Sequence, residues 1–195
     1  MSYVKIRRRG ILPMAEGAIQ FTYDDYLSFP YDLKIHQIVE GEHYVNPSPV
    51  PYHQAISGRL FRILADFVES RNLGQVFAAP IDVVLSNINV VVPDIIFISR
   101  EKERIIGEKC ISGPPDLIVE ILSEGTKKLD KDLKSKLYAK FGVMEYWIVD
   151  PKEKAITVCR FSNKRYQTTI FTAAEELTTP TFSRLRISLV DIFRR

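Results

Sequence analysis

Two strand-length apolar runs each carry a single internal carboxylate, and this pattern constrains the fold most strongly. The first run, "NVVVPDIIFIS" (89–99), contains Asp94, and the second, "PPDLIVEILS" (114–123), contains Glu120. Side chains alternate along a strand, so Glu120 shares one face with the apolar residues two positions away on each side. A charge placed in such a strand has to be paired or bound to a metal ion.

The two acids allow two interpretations from the residues alone. Each acid is structural, satisfied by water at a strand end or by a salt bridge, or both converge on one hard cation. Mg²⁺ takes one or two carboxylates and fills its other positions with water and phosphate oxygen. Pro93 precedes Asp94, and a proline in an apolar run is typical of an edge strand or a bulge. We therefore expect a shared metal site, with the structural interpretation as the alternative.

The lysine-rich segment 126–142 predicts a helix that packs against the sheet. Its apolar residues recur every four positions and end at Phe141, whereas Asp130, Lys134 and Tyr138 form a parallel row at the rim of the buried face. From that rim, Lys134 can extend its ammonium group into a cleft. The alternative is an exposed Asp130–Lys134 pair, which contributes only about 0.2–0.5 kcal/mol.

The remaining segments predict a mixed α/β architecture in which a central mixed sheet is flanked by helices. Apolar residues at helical spacing within 46–74 predict a long helix that ends before Gly74. Other predicted elements are a short helix in 21–30, two strands around Gly41, a hairpin joining 75–86 to 90–99, a strand at 144–151, a hairpin of 155–162 and 165–172, and a last strand or short helix in 185–193.

Length and composition restrict the class of protein. With 195 residues, 46% of them hydrophobic, the chain suits a single domain over 1–195, with 1–18 as a candidate flexible N-terminal extension. We read neither a secretory signal nor an apolar run of membrane-spanning length, so we expect a cytoplasmic protein without a membrane partner. Cys110 and Cys159 lie far apart, and with three histidines they offer too few ligands for a zinc site.

Three stretches taken together resemble the Uma-two family of restriction endonucleases, within the PD-(D/E)XK nuclease superfamily. They are "PDLIVEILS", the D-x-x-x-K-x-x-x-Y row that contains Lys134, and "GVMEYWIVDP". The resemblance covers roughly residues 20–190, and 114–151 carry its most specific part. It implies a restriction-endonuclease-like core with an extra C-terminal β-hairpin.

The resemblance also implies a set of site residues. Mg²⁺ or Mn²⁺ would be held by Asp94, Glu120 and the backbone carbonyl of Ile121. The glutamate of "EGEHYV" and the histidine of "PSPVPYHQ" match further positions of the family pattern. The implied catalytic residues are Asp94, Glu120, Lys134, Glu42 and His53.

Two positions depart from the family pattern. The superfamily's common form has a lysine two residues after the second acid, where this chain has Leu122, and Gln37 stands where relatives often have an acid. Lys134 would then supply the ammonium group from a different element. The resemblance implies a homodimeric, Mg²⁺-dependent endodeoxyribonuclease that hydrolyses DNA. The alternative is a catalytically inactive nucleic-acid-binding or oligomerisation protein that retains the nuclease fold.

Overall fold

A computed structural model of the chain describes residues 20–123, 133–162 and 165–195, together with the backbone of residues 4–5. The helices are α1 (Tyr23–Tyr26), α2 (Pro51–Ser70), α3 (Ser135–Phe141) and α4 (Leu189–Phe193), with a 3-10 helix at Arg100–Ile105. The strands are β1 (Val4–Lys5), β2 (Ile35–Val39), β3 (Glu42–Asn46), β4 (Gly74–Ala78), β5 (Val83–Ser86), β6 (Asn89–Val91), β7 (Ile95–Ser99), β8 (Ile111–Ser112), β9 (Leu117–Ile121), β10 (Glu145–Asp150), β11 (Ala155–Ser162), β12 (Arg165–Thr172), β13 (Glu176–Thr179) and β14 (Phe182–Ser188).

The central sheet has six strands in the order β12-β11-β10-β9-β7-β4. Only β9 and β10 run parallel to each other, and the other neighbours are antiparallel, which confirms the predicted mixed sheet. A second six-stranded sheet, β1-β3-β2-β6-β5-β8, was not indicated by the sequence. β13 and β14 form a separate C-terminal hairpin, consistent with the predicted extra hairpin.

The helix α2 covers one face of the central sheet. It begins at Pro51, whose ring favours the first helical position. Ile56, Leu60, Leu64 and Val68 recur on one side of the helix and are fully buried. They pack with one face of the central sheet, with α4 and with the β13–β14 hairpin in a first core. Burial of one such side chain contributes about 1.5–3 kcal/mol, so this face accounts for the predicted long helix.

The other face of the central sheet forms a second core with the second sheet and α3. Alternation along β9 divides its residues between the two cores: Val119 and Ile121 belong to the first, and Ile118 and Leu122 to the second. Glu120 therefore points toward the side that α3 covers.

The predicted hairpin of 75–86 with 90–99 is confirmed by the antiparallel pairing of the two runs, although each run divides between the two sheets. β5 and β6 form a hairpin in the second sheet, whereas β4 pairs with β7 in the central sheet. The segment 92–94 crosses from one sheet to the other. Pro93 thus lies at a crossing rather than at an edge or a bulge, since β7 has neighbours on both sides.

The shorter elements follow local sequence signals. Thr22 caps α1 through a reciprocal pair of hydrogen bonds with Asp25. Gly142, at φ +77°, terminates α3. The segment predicted as a last strand or short helix forms both β14 and α4. In the described part of the chain, no helix is long and apolar enough to cross a membrane.

Of the predicted helix at 126–142, the described part begins at Leu133. Leu133 and Lys134 have π-helical geometry, a feature frequent at functional sites, and α3 follows directly. The apolar stripe packs into the second core as predicted, with Leu137 almost fully buried. The proposed cap Thr126 and the row residue Asp130 lie outside the described residues.

Candidate active site

Asp94 and Glu120 occupy facing positions on adjacent strands. The antiparallel register of β7 and β9 pairs Ile95 with Val119, so one further step sets Asp94 opposite Glu120. The backbone N–H of Ile121 donates a hydrogen bond of 2.7 Å to Oδ2 of Asp94. The convergence of the two acids on one cation stays a prediction, and the register with this hydrogen bond places Asp94 beside the residue that follows Glu120.

His53, in the first turn of α2, reaches the same place from the first core. Its Nε2 lies 3.1 Å from the carbonyl oxygen of Ile121 and 3.4 Å from Oδ2 of Asp94. Burial lowers the pKa of His53, but the hydrogen bond and the charge of Asp94, with the Ile121 carbonyl, raise the pKa above its usual value. Nδ1 of His53 is buried and has no hydrogen-bond partner among the described residues.

Glu120 is held by two donors from the segment that leads into and forms α3. Nζ of Lys134 and the hydroxyl of Tyr138 each lie 2.8 Å from Oε1 of Glu120. Lys134 is only 1% exposed and Tyr138 is fully buried, so the predicted position at a rim is wrong. The helix carries Lys134 inside the second core, where a charged group requires a partner such as Glu120.

Five of the predicted residues and groups therefore lie around the carboxyl end of β9, in two sets of contacts. Asp94 contacts the backbone of Ile121, His53 contacts both, and Lys134 contacts Glu120. Their catalytic roles stay predictions. Sequence reasoning placed Tyr138 in the same helical row as Lys134 but did not assign it to the site, although the four-residue spacing was the available signal.

Glu42 lies at the start of β3 in the second sheet. The hydroxyl of Tyr44 donates a hydrogen bond of 2.8 Å to its Oε2. Burial, and then this hydrogen bond, raise the pKa of Tyr44 to about 12. The membership of Glu42 in the catalytic set stays a prediction.

Gln37, where relatives often have an acid, supports the segment that leads to Asp94. Its Oε1 accepts a hydrogen bond of 3.1 Å from the backbone N–H of Val92, two residues before Asp94. The side chain is fully buried, and its Nε2 has no hydrogen-bond partner among the described residues. No sequence motif pointed to this contact, because it joins two strands of the second sheet that are distant in the chain.

Leu122 occupies the position where the common superfamily motif has a lysine. Its side chain is 6% exposed and packs in the second core, while its backbone N–H bonds to the carbonyl of Val149 at 2.8 Å. That Lys134 supplies the ammonium group of the common motif stays a prediction.

The oxygen donors of the site fit a hard divalent cation. Across 20–123, 133–162 and 165–195, no group of three or more His, Cys, Asp or Glu side chains has metal-binding geometry. Mg²⁺ requires fewer protein ligands, because it keeps several waters beside one or two carboxylates. The carboxylates of Asp94 and Glu120, with the Ile121 carbonyl, form an all-oxygen donor set of the kind that Mg²⁺ and Mn²⁺ prefer.

Two other buried acids lie at the amino end of β9, opposite the candidate site. Glu145 is fully buried and accepts hydrogen bonds of 2.6 Å from Nε1 of Trp147 and 2.7 Å from the hydroxyl of Thr181. Asp116, directly before β9, accepts a bond of 2.7 Å from the backbone N–H of Ser99 and pairs with Lys102 at 3.0 Å. Both acids are therefore held by structural contacts.

Comparison with solved structures identifies the class of fold. The chain is similar to a protein described as "a putative nuclease belonging to DUF820" from Anabaena variabilis ATCC 29413, at 23% sequence identity and a TM-score of 0.74. The match covers 89% of this chain and 97% of that one, so the two proteins share a fold. Among curated proteins, none matches this chain in sequence.

A family model assigns the chain more specifically. The Uma2 model, described as "Putative restriction endonuclease", matches residues 23–189. The chain belongs to this family, which confirms the resemblance and the predicted fold class. Membership places the protein among restriction-endonuclease-like nucleases.

Proposed function

We propose that the protein is a metal-dependent endonuclease that hydrolyses phosphodiester bonds in DNA. The observation that carries the proposal is the position of Asp94, which faces Glu120 when the register of β7 and β9 is extended by one residue and which accepts a hydrogen bond from the N–H of Ile121. The ammonium group of Lys134 contacts Glu120. Family membership supports the nuclease class. The all-oxygen donor set supports dependence on Mg²⁺ or Mn²⁺.

Asp94, Glu120 and the Ile121 carbonyl are the groups that would hold the cation. When bound there, Mg²⁺ or Mn²⁺ supplies a Lewis acid that neutralises a phosphate oxygen and lowers the pKa of a bound water. The N–H of Ile121 orients one carboxylate oxygen of Asp94, and His53 contacts the same oxygen. This support keeps the donor atoms in place before the substrate arrives.

In this proposal, Lys134 stabilises negative charge and His53 transfers a proton. An ammonium group has three donors, so Lys134 can bond to Glu120 and also to the attacking water or a phosphate oxygen. His53 releases and takes up a proton at Nε2. Glu42 is assigned to polarising the water. The attacking water gives up a proton as its oxygen bonds to phosphorus, the bond from phosphorus to the leaving oxygen breaks, and the leaving oxygen takes up a proton.

Cleavage of defined DNA substrates tests the proposal. Purified protein is incubated with supercoiled plasmid, linear duplex and single-stranded DNA in Mg²⁺, Mn²⁺ or EDTA. We expect cleavage that requires the cation and falls at least 100-fold in Asp94→Asn and Glu120→Gln, variants that keep the side-chain shape. Asp116→Asn is the matched control, because it removes a buried carboxylate at the opposite end of β9.

The outcome that rejects the proposal is equal cleavage by Glu120→Gln and wild-type protein, or cleavage that persists in EDTA. Circular dichroism melting of each variant verifies that it is folded at the assay temperature. Substrate preference among the three DNA forms then defines the class of target.

Loss of catalysis with retention of the fold is the second candidate function. Two departures from the nuclease pattern favour it: Leu122 packs in the second core, and Gln37 replaces an acid. A binding or oligomerisation protein of this kind would show no Mn²⁺ binding that depends on Asp94. Calorimetric titration of Mn²⁺ into wild-type and Asp94→Asn proteins separates the two functions.

A further inference from the structure

The strand β12 forms one edge of the central sheet. It pairs with β11 in eight consecutive register pairs, from Arg165 to Thr172, without a register shift. In the described part of the chain, no strand pairs with its other side. A regular edge of this length presents a row of backbone N–H and C=O groups to a potential partner strand.

This edge lacks the features that usually prevent strand addition. Residues 166–172 read "YQTTIFT" and contain no charge, no proline and no glycine. The four consecutive residues 167–170 are exposed, so both faces of the strand project beyond the core, and Ile170 is 63% exposed. Lysines, prolines, bulges and short length are the common protections of an edge, and β12 has none of these between 166 and 172.

The opposite edge of the same sheet differs. β4 has five residues and begins at Gly74, whose φ is +150°. The backbone N–H of Arg100, at the start of the 3-10 helix, bonds to the carbonyl of Leu73 immediately before β4. β4 is therefore a short edge strand with a backbone hydrogen bond to the 3-10 helix at its amino end. The edge at β12 is the more suitable one for pairing.

We propose that β12 is the interface through which two copies of this chain form a homodimer, by antiparallel pairing of the two β12 strands. Identical antiparallel strands are related by a two-fold axis, so each copy supplies the same surface. Every residue of 166–172 is neutral, so the facing side chains of the two strands meet without repulsion, and Thr and Ile favour cross-strand contacts. A nucleic-acid partner fits less well, because residues 166–172 offer no positive charge to phosphates.

The pairing joins the two central sheets into one continuous sheet. The two-fold axis is perpendicular to that sheet and the two β9 strands run in opposite directions, so the two candidate active sites lie at opposite ends of the strands. β9 is three strands from β12, which separates the two β9 strands by seven strand spacings, roughly 34 Å. The inference rests on the strand edge alone and does not depend on the proposed chemistry.

Sedimentation analysis over a range of concentrations tests the interface. We expect the wild-type protein to have twice the chain mass. Ile170→Lys places like charges across the two-fold axis and should weaken dimerisation at least tenfold. Val190→Lys, at an α4 residue that is 62% exposed, is the matched control and should leave the dimer intact. A monomeric wild-type protein, or an Ile170→Lys protein that dimerises like wild type, overturns the proposal.

Hydrogen exchange distinguishes backbone pairing from a contact elsewhere. Amides of β12 should gain protection as concentration rises and lose it in Ile170→Lys, whereas amides of β4 should not change. Concentration-dependent protection confined to other segments overturns the proposal, as does protection of β12 that requires added DNA. If the dimer proposal fails these tests, the predictions for cleavage at a single site are unaffected. The two proposals can therefore be tested separately.

Discussion

Nζ of Lys134 lies 2.8 Å from Oε1 of Glu120, and the two side chains are 1% and 6% exposed. A pair this deeply buried is desolvated, and removal of one partner leaves the other in an apolar environment without its main counter-charge. Tyr138 donates to the same oxygen from the next turn of the helix. Lys134 therefore contributes to the structure as well as to the proposed chemistry, and a variant must separate the two contributions.

Glu120→Leu is expected to lower the free energy of unfolding by about 3–5 kcal/mol, because the Lys134 ammonium group loses its buried carboxylate. The double variant Glu120→Leu/Lys134→Met removes both charges and should recover most of that loss. Urea denaturation at pH 7 measures both values. A double variant as unstable as the sum of the two single variants would contradict the coupling.

Tyr138→Phe should lower the free energy of unfolding by about 1.5–3 kcal/mol, since a hydrogen bond to a charged acceptor is lost while the ring still packs. Cleavage should also slow, because Glu120 Oε1 loses one of the donors that orient it. Tyr166→Phe is the matched control: its hydroxyl bonds only to the carbonyl of Val143, at 3.2 Å, among its described contacts. An equal effect of both variants on cleavage would exclude a positioning role for Tyr138.

Stability should fall as the pH decreases from about 6.5 to about 4, because His43 resists protonation in the folded state. Burial, and then the charge of His36, lower the pKa of His43 to about 4. The unfolded chain has a histidine pKa of about 6.5 and binds the proton first, so stability is present above that pH and is lost below it. The slope from one group is at most about 1.4 kcal/mol per pH unit.

His43→Gln isolates this contribution, because an amide oxygen can replace the ring nitrogen that lies 2.9 Å from Nδ1 of His36 without titrating. Denaturation curves at intervals from pH 4.5 to 7 should have a flatter pH dependence for the variant. The raised pKa of His53 acts in the opposite direction, since its stabilisation is lost as the pH rises through the folded value. An unchanged slope in His43→Gln would exclude His43 as its source.

Gln37→Glu should tighten Mn²⁺ binding, because the carboxylate restores the acid that relatives often have at this position. The variant keeps an acceptor for the Val92 N–H and replaces the buried Nε2 with a second oxygen. Calorimetric titration measures the dissociation constant, and we expect a decrease of at least tenfold. Gln75→Glu, at an exposed position on the edge strand β4, is the control for added charge. Equal effects of the two variants would exclude a local role for Gln37.

The central sheet and α2 were predictable because their signals are long and periodic. Ile56, Leu60 and Leu64 repeat at helical spacing, and the runs around Asp94 and Glu120 are strand-length and apolar. The second sheet was not predictable, since its strands are short and its middle depends on one long-range register pair, Ile38 with Val90. Pairs of this kind have no local sequence signature.

The types of residue in the candidate site could be predicted from the sequence, but the contacts between them could not. A lone acid in an apolar strand identified Glu120, and helical spacing placed Lys134 and Tyr138 on one row. Their complete burial was not predictable, because the second sheet supplies cover on that side of the helix that no local sequence signal indicates. The sequence identified Gln37 only as a departure from the family pattern. Its contact with Val92 was visible only in the three-dimensional structure.

The most direct measurement of the central claim is anomalous diffraction from crystals soaked in Mn²⁺. The account predicts a peak bounded by the carboxylates of Asp94 and Glu120 and the carbonyl of Ile121, with ligand distances of about 2.1–2.2 Å, close to the Mg²⁺ range. In Asp94→Asn crystals the peak should be lost or strongly reduced. A wild-type site without Mn²⁺ at saturating concentration, or a peak that persists unchanged in Asp94→Asn, would contradict the account.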